Sequence, residues 1–199
     1  MQRVFIGIPV DKPAQRQINE LLIPAKRSNP DIRWVPEHNR HLTLAFLGNR
    51  PTGVIKDLVR SMHLAFQQQL AFRTGLSTLR RFPTSTGNII ALVYKPDEYF
   101  AHLFQLTQDF LTENGLGFDL KPFRPHITLG RIRKASTLKI TFNQETNIGL
   151  RVDKVALYQS TLTETGSIYL ALKEIELGQT GAHPLLSVTN PVPGNSRNE

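Results

Sequence analysis

One four-residue pattern occurs twice in this chain, His41-Leu42-Thr43-Leu44 and His126-Ile127-Thr128-Leu129, and it constrains the fold more than any other feature. In an extended segment side chains alternate between faces, so each copy sets an imidazole and a hydroxyl on one face and two aliphatic residues on the other. Such a strand needs a core beneath its aliphatic face and leaves its polar face to a groove. Two of them facing one groove would bring two imidazoles together. A single copy would read as an ordinary strand histidine beside a core leucine. The repeat with its matching threonine, in a chain with six histidines, points instead to a pair of acid-base groups.

The chain of 199 residues can bury a sizeable core as one domain or as two joined lobes sharing a cleft. Hydrophobic content of 40% and charged content of 20% fit a globular protein rather than a disordered one. No apolar run is long enough to cross a bilayer, and Val4 to Val10 is only strand-length and is followed at once by Asp11 and Lys12. A cytoplasmic protein with no membrane partner is expected. Cysteine is absent, which removes disulfides, thiolate nucleophiles and cysteine-ligated zinc. The net charge of +8 favours an anionic partner. Residues 39–56 and 120–144 hold no Asp or Glu and enclose both histidine motifs, and Lys121, Arg124, Arg131, Arg133, Lys134 and Lys139 cluster near the second. A basic face is common on its own; coincidence with both motifs points to phosphate binding.

Along the chain, Arg3 to Val10 reads as a buried strand, and Asp11 with Pro13 opens a helix carrying Ile18, Leu21 and Leu22 that Pro24 limits or kinks. Ile32 to Pro36 and Leu42 to Gly48 read as a hairpin around Glu37-His38-Asn39-Arg40. From Pro51 to about Leu70 the spacing of Ile55, Leu58, Val59, Met62 and Phe66 predicts an amphipathic helix. Phe72 to Phe82 and Ile89 to Tyr94 suggest strands, Asp97 to Gly115 bounds another helix, and Val152 to Leu162 with Ile168 to Leu177 reads as a terminal strand pair. Helices and hairpins without regular βαβ alternation make α+β with antiparallel sheets the expected class. A helix precedes the motif strand in each half, consistent with two similar lobes. Residues 1–177 are expected to form one bilobal domain and residues 178–199 an irregular C-terminal tail.

Around the motifs the chain resembles the 2H phosphoesterase superfamily, and within it the bacterial and archaeal RNA 2′,3′-cyclic phosphodiesterases historically labelled 2′-5′ RNA ligases. The resemblance rests on Arg3-Val4-Phe5-Ile6-Gly7-Ile8, on Trp34-Val35-Pro36 before His41 to Gly48, on Pro122-Phe123-Arg124-Pro125 before His126 to Arg131, and on Tyr158-Gln159-Ser160. It implies two pseudo-symmetric lobes, each an antiparallel sheet with outer helices, around a central groove carrying both motifs. It also implies metal-independent hydrolysis of RNA 2′,3′-cyclic phosphate ends, or of cyclic nucleotides, to 2′-phosphates, by a monomer without cofactor. His126 would then be the proton acceptor and His41 the proton donor, roles suited to an imidazole titrating near neutrality. Thr43 and Thr128 would bind phosphate oxygens, Arg131 would approach the ligand and Phe46 would stack on its base. Phe46 and Arg131 each lie five residues after their histidine, so simple alternation would put them on the opposite face, and a strand end, twist or bulge must intervene. Trp34 and Tyr158 are read as core or rim packing.

Other chemistries find little support. His38, His63, His102 and His183 form no ligand cluster with the motif pair, and no cysteine pair or His-Glu-x-x-His run suggests a metal site. A phosphate-cradling glycine loop is absent, which argues against ATP-dependent transfer. Two alternatives stay open: 2′-5′ RNA ligation at the same site, with a 5′-hydroxyl in place of water, and a non-catalytic RNA- or nucleotide-binding module.

Overall fold

The two motif strands lie side by side at the middle of one antiparallel sheet. The computed structural model describes residues 1–84, 88–117, 122–132, 142–164 and 166–178. Its elements run β1 (Gln2–Pro9), α1 (Lys12–Ser28), β2 (Arg33–Trp34), a 3-10 turn (Glu37–Asn39), β3 (His41–Arg50), α2 (Thr52–Phe66), β4 (Phe72–Arg73) and β5 (Ser77–Phe82). There follow β6 (Ile89–Tyr94), α3 (Glu98–Glu113), β7 (His126–Arg131), β8 (Asn143–Thr146), β9 (Arg151–Val152), β10 (Lys154–Thr163) and β11 (Gly166–Glu176). The main sheet has the order β11-β10-β1-β3-β7-β6-β5-β8, with β2 added to β7, while β4 and β9 pair separately.

The expected α+β class with antiparallel sheets and two lobes is what the chain forms. β1-α1-β3 and β6-α3-β7 are equivalent units, each a strand, a helix and a returning antiparallel strand. β10 and β11 widen the first lobe and β5 and β8 the second. The half-sheets join at their inner edges through one residue pair, Leu42 with Ile127.

Alternation sorts the two faces. Val4, Ile6 and Ile8 of β1 join Leu42, Leu44, Ile90, Leu92, Ile127, Leu129, Val155 and Leu157 in one apolar cluster. The helices cover this face with Ile18 and Leu22 of α1, Leu58 and Met62 of α2, and Phe100 and Leu103 of α3. Phe5 and Phe82 are also buried but stand outside that cluster, because they belong to the opposite, grooved face.

Several local expectations change. Asp97 caps α3 by accepting from Phe100 N at 2.9 Å, and Gly115 ends it at φ +69°. Asp11 occupies the N-cap position of α1, but its carboxylate accepts from Arg151 N at 3.2 Å instead of capping the helix. Pro24 does not stop α1, which runs on to Ser28; it sits on the exposed side, where the carbonyl it leaves without a donor faces water. The hairpin expected between residues 32–36 and 42–48 does not form. Both edges of β3 are taken by β1 and β7, so the short β2 pairs with the far end of β7, Arg33 with Arg131 and Trp34 with Gly130. Trp34 is a packing residue, its indole N–H donating to Asn29 O at 3.3 Å and its ring near Phe142. The strand expected over residues 72–82 is broken at Thr74-Gly75-Leu76 into β4 and β5. Lys121, Arg133, Lys134, Lys139, His183 and the tail beyond Gly178 lie outside the described residues.

Candidate active site

The crossing of β3 and β7 assembles the site. Leu42 and Ile127 face each other with both side chains fully buried. Extending that antiparallel register by one residue sets His41 across from Thr128 and Thr43 across from His126. All four half-buried side chains therefore share the grooved face.

Matching bulges bring the remaining candidates to that face. Against β1, the register of β3 shifts between Ile6 with Ala45 and Gly7 with Thr43, which leaves Leu44 as the extra residue. Against β6, the register of β7 shifts between Ile90 with Gly130 and Ala91 with Thr128, which leaves Leu129 extra. The leucine closing each motif is thus the bulge residue, and the alternation reverses beyond it. Phe46 pairs with Phe5 and Arg131 with Ile89, so both return to the side of His41 and His126. Phe46 stands 70% exposed, an open ring on the groove rather than a core residue.

The two histidines are held the same way. His41 Nδ1 donates to the Asn39 carbonyl at 2.8 Å, and His126 Nδ1 donates to the Arg124 carbonyl at 2.7 Å. A carbonyl only accepts, so each neutral ring carries its proton on Nδ1 and presents Nε2 as the nitrogen that can exchange one. Burial is the main force on both, pushing His41 down to about 4 and His126 below its usual value. The carbonyl bonds oppose this shift, while Arg131 adds to it at both rings and His126 adds to it at His41. Both imidazoles are therefore neutral near pH 7. Among the described residues, no three His, Cys, Asp or Glu side chains gather as metal ligands would.

Comparison with known proteins identifies the family. The family model of the 2′-5′ RNA ligase superfamily matches residues 9–164. The chain belongs to that superfamily. The protein named RNA 2′,3′-cyclic phosphodiesterase of Thermus thermophilus is 32% identical over 173 residues, spanning 81% of this chain and 85% of its own. Its namesake from Thermotoga maritima is 27% identical over 178 residues, 87% of this chain and 95% of the relative. Among solved structures, TT0787 of Thermus thermophilus superposes with a TM-score of 0.76 at 27% identity, over 88% of this chain and 97% of that one. LigT of E. coli complexed with 3′-AMP gives 0.71 at 26% identity, over 89% and 99%. The likeness to 2H phosphoesterases drawn from the two motifs is thus correct.

In this member of the superfamily, aromatic rings back each histidine, and the sequence gives them no signal of their own. Phe5 lies 4.6 Å from His41 and stacks at 5.0 Å on Tyr158, while Tyr169 meets His41 edge-on at 5.0 Å. Phe82 stacks on His126 at 4.1 Å. Read alone, Phe5 and Phe82 look like core residues; only strand register places them in the groove. A second layer holds the 3-10 turn that supplies the Asn39 carbonyl. The buried Arg40 guanidinium donates to Gln15 Oε1 at 2.9 Å and Asn19 Oδ1 at 2.8 Å on α1, and Gln15 in turn donates to Glu37 O at 3.0 Å. Asn39 Nδ2 donates to Ser167 O at 2.7 Å. Register puts Ser167 at the Gln2 end of β1, far from His41, so this bond and the Tyr169 contact show the β10-β11 hairpin bending back over the groove.

Proposed function

We propose that the chain hydrolyses RNA ends carrying a 2′,3′-cyclic phosphate to 2′-phosphates, with the two imidazoles as its acid and base. The observation that carries this reading is the shared arrangement of the histidines, one face, with Nδ1 on a carbonyl and Nε2 left for proton exchange. His126 Nε2 takes a proton from water as its oxygen bonds to phosphorus. The bond from phosphorus to O3′ breaks, and His41 Nε2 delivers its proton to that oxygen. Thr43 and Thr128 donate to the non-bridging oxygens, and Arg131 offsets charge as phosphorus becomes five-coordinate.

The acid must be charged, yet burial holds His41 at about 4. The phosphate's own negative charge counters the burial, since an anion at the rings favours the imidazolium. Phe46, exposed beside Phe5, offers a face on which the terminal base stacks. No helix of the described residues is long and apolar enough to cross a membrane. Our reading is that residues 1–177 act as one bilobal catalytic unit, monomeric and cytoplasmic, with residues 178–199 as an appended tail; it calls on no metal or cofactor.

An alcohol in place of water would give a 2′-5′ linkage by the same proton transfers, so the deciding test offers both nucleophiles. A radiolabelled oligoribonucleotide with a cyclic end is incubated with an excess of 5′-hydroxyl acceptor, and products are sized on a gel. A 2′-phosphorylated product of unchanged length supports hydrolysis; a lengthened product as the main species would replace it with ligation.

A further inference from the structure

A hollow at the end of the first lobe's strands, reached by residues of the grooved face, has no part in the chemistry described. It is lined by Arg3, Asn49, Ser160, Leu162 and Ser167. Arg3 pairs with both Asn49 and Ser160, and Leu162 pairs with Ser167, so these side chains share the face of Phe5 and Phe46. Gln2, Gln159 and Thr161, at the alternate positions, also reach it where the strands end. Among the described residues no Asp or Glu lines it, and Arg3 is exposed. It is continuous with the histidines, because Tyr169, the strand partner of Ser160, touches both Phe5 and His41.

We infer that this hollow holds the nucleotides that precede the cyclic phosphate end, so that the site reads an RNA chain rather than a lone nucleotide. The inference rests on the hydrolytic reading above and extends it. Gly7, opposite Thr43, and Arg3 are four residues apart on β1, about 13 Å, a span that an extended single strand covers in roughly two nucleotides. With the terminal base on Phe46, the chain continues along β1 beneath the bent hairpin. The Arg3 guanidinium meets an internucleotide phosphate, and Asn49, Ser160 and Ser167 offer hydrogen bonds to sugar and base edges. A second hollow lies on the other lobe near His126, with Arg80, Lys95 and Arg124, but it also carries Glu145. Its lining is the more positive of the two, but in-line displacement needs the His126 side for the attacking water, which leaves the first hollow for the chain.

The test compares uridine 2′,3′-cyclic phosphate with di- and triuridylates bearing the same end. We expect kcat/KM to rise about tenfold from one nucleotide to three. Arg3→Glu should remove most of that rise while changing mononucleotide turnover by no more than about twofold. Arg80→Glu, on the other lobe, should leave the rise in place. A flat length profile, an equal loss on all three substrates in Arg3→Glu, or loss of the rise in Arg80→Glu instead would overturn the inference. Fluorescence polarisation of a 5′-labelled triuridylate 2′-phosphate, competed with uridine 2′-phosphate, separates this claim from the catalytic one. Length-dependent binding weakened by Arg3→Glu supports the path even if no substrate turns over, and length-independent binding refutes it even if all do.

Discussion

Leu42 on β3 and Ile127 on β7 are the pair through which the two histidine strands meet, and both side chains are fully buried. Among the described residues this is the single register pair between the two strands, and the groove lies over it. Core packing on one face fixes the relative position of His41 and His126 on the other. The proposed acid-base pair is therefore as rigid as the sheet beneath it.

Removing either imidazole should cost most of the activity. His41→Ala and His126→Ala are each expected to lower kcat/KM by about 10²–10⁴-fold. Because the rings act together in one displacement at phosphorus, the double variant should fall little below the worse single. Steady-state kinetics with unchanged circular dichroism checks this; a variant near wild-type rates would remove its ring from the mechanism.

The burial of the imidazoles sets a pH dependence of stability. Both native values lie below the unfolded value of about 6.5, so at mildly acid pH the unfolded chain binds more protons than the native one. Stability should be constant above that value and fall as pH drops from 6.5 toward 4, by roughly 1–2 kcal/mol at pH 5 from His41. Urea unfolding at pH 7 and pH 5 measures the fall, which His41→Asn should reduce. In proton NMR, His41 should titrate near 4 alone and higher with a bound 2′-phosphate, and no movement would refute charge supplied by the ligand.

Gly7 lies under the bulge beside His41. A Cβ there would come 2.9 Å from the Leu42 carbonyl oxygen and 3.5 Å from His41 Cδ2. Gly7→Ala should destabilise the protein by about 1–3 kcal/mol and lower kcat more than it raises KM, because it displaces the ring without touching bound RNA. Thermal unfolding with kinetics on one preparation would show both effects, and unchanged kcat would argue against the strict placement of His41.

Arg40 is expected to act through the turn it holds. Arg40→Met should cost about 2–4 kcal/mol, since it leaves Gln15 and Asn19 without their donor in a buried setting. It should also loosen Asn39 and so let His41 sample other orientations. A broadened His41 resonance in the variant is the expected sign, and a sharp, unshifted one would make Arg40 purely structural.

What could be read from the chain follows the range of the forces involved. The motif faces, the buried β1 and the three helices depend on local periodicity, and they stand close to where alternation and 3.6-residue spacing put them. The partner of β2 is set by competition for the edges of β3, which residues 32–48 alone do not record. The bulges at Leu44 and Leu129 depend on how β1 and β6 align with the motif strands, and the inserted residue is an ordinary leucine. That is why Phe46 and Arg131 could be assigned to the groove from family likeness but not from alternation. The carbonyls of Asn39 and Arg124 belong to the backbone, so no side-chain identity announces them. Tyr169 reaches His41 only because the C-terminal hairpin returns to the first lobe and bends over it.

The most direct measurement follows the phosphorus NMR spectrum of an oligoribonucleotide ending in a 2′,3′-cyclic phosphate, incubated with the purified protein in EDTA. The account predicts that the cyclic phosphate signal gives way to a 2′-phosphomonoester, at a rate unaffected by the chelator and lost in both histidine variants. An unchanged spectrum, a 3′-phosphate product, or turnover that EDTA abolishes would contradict it.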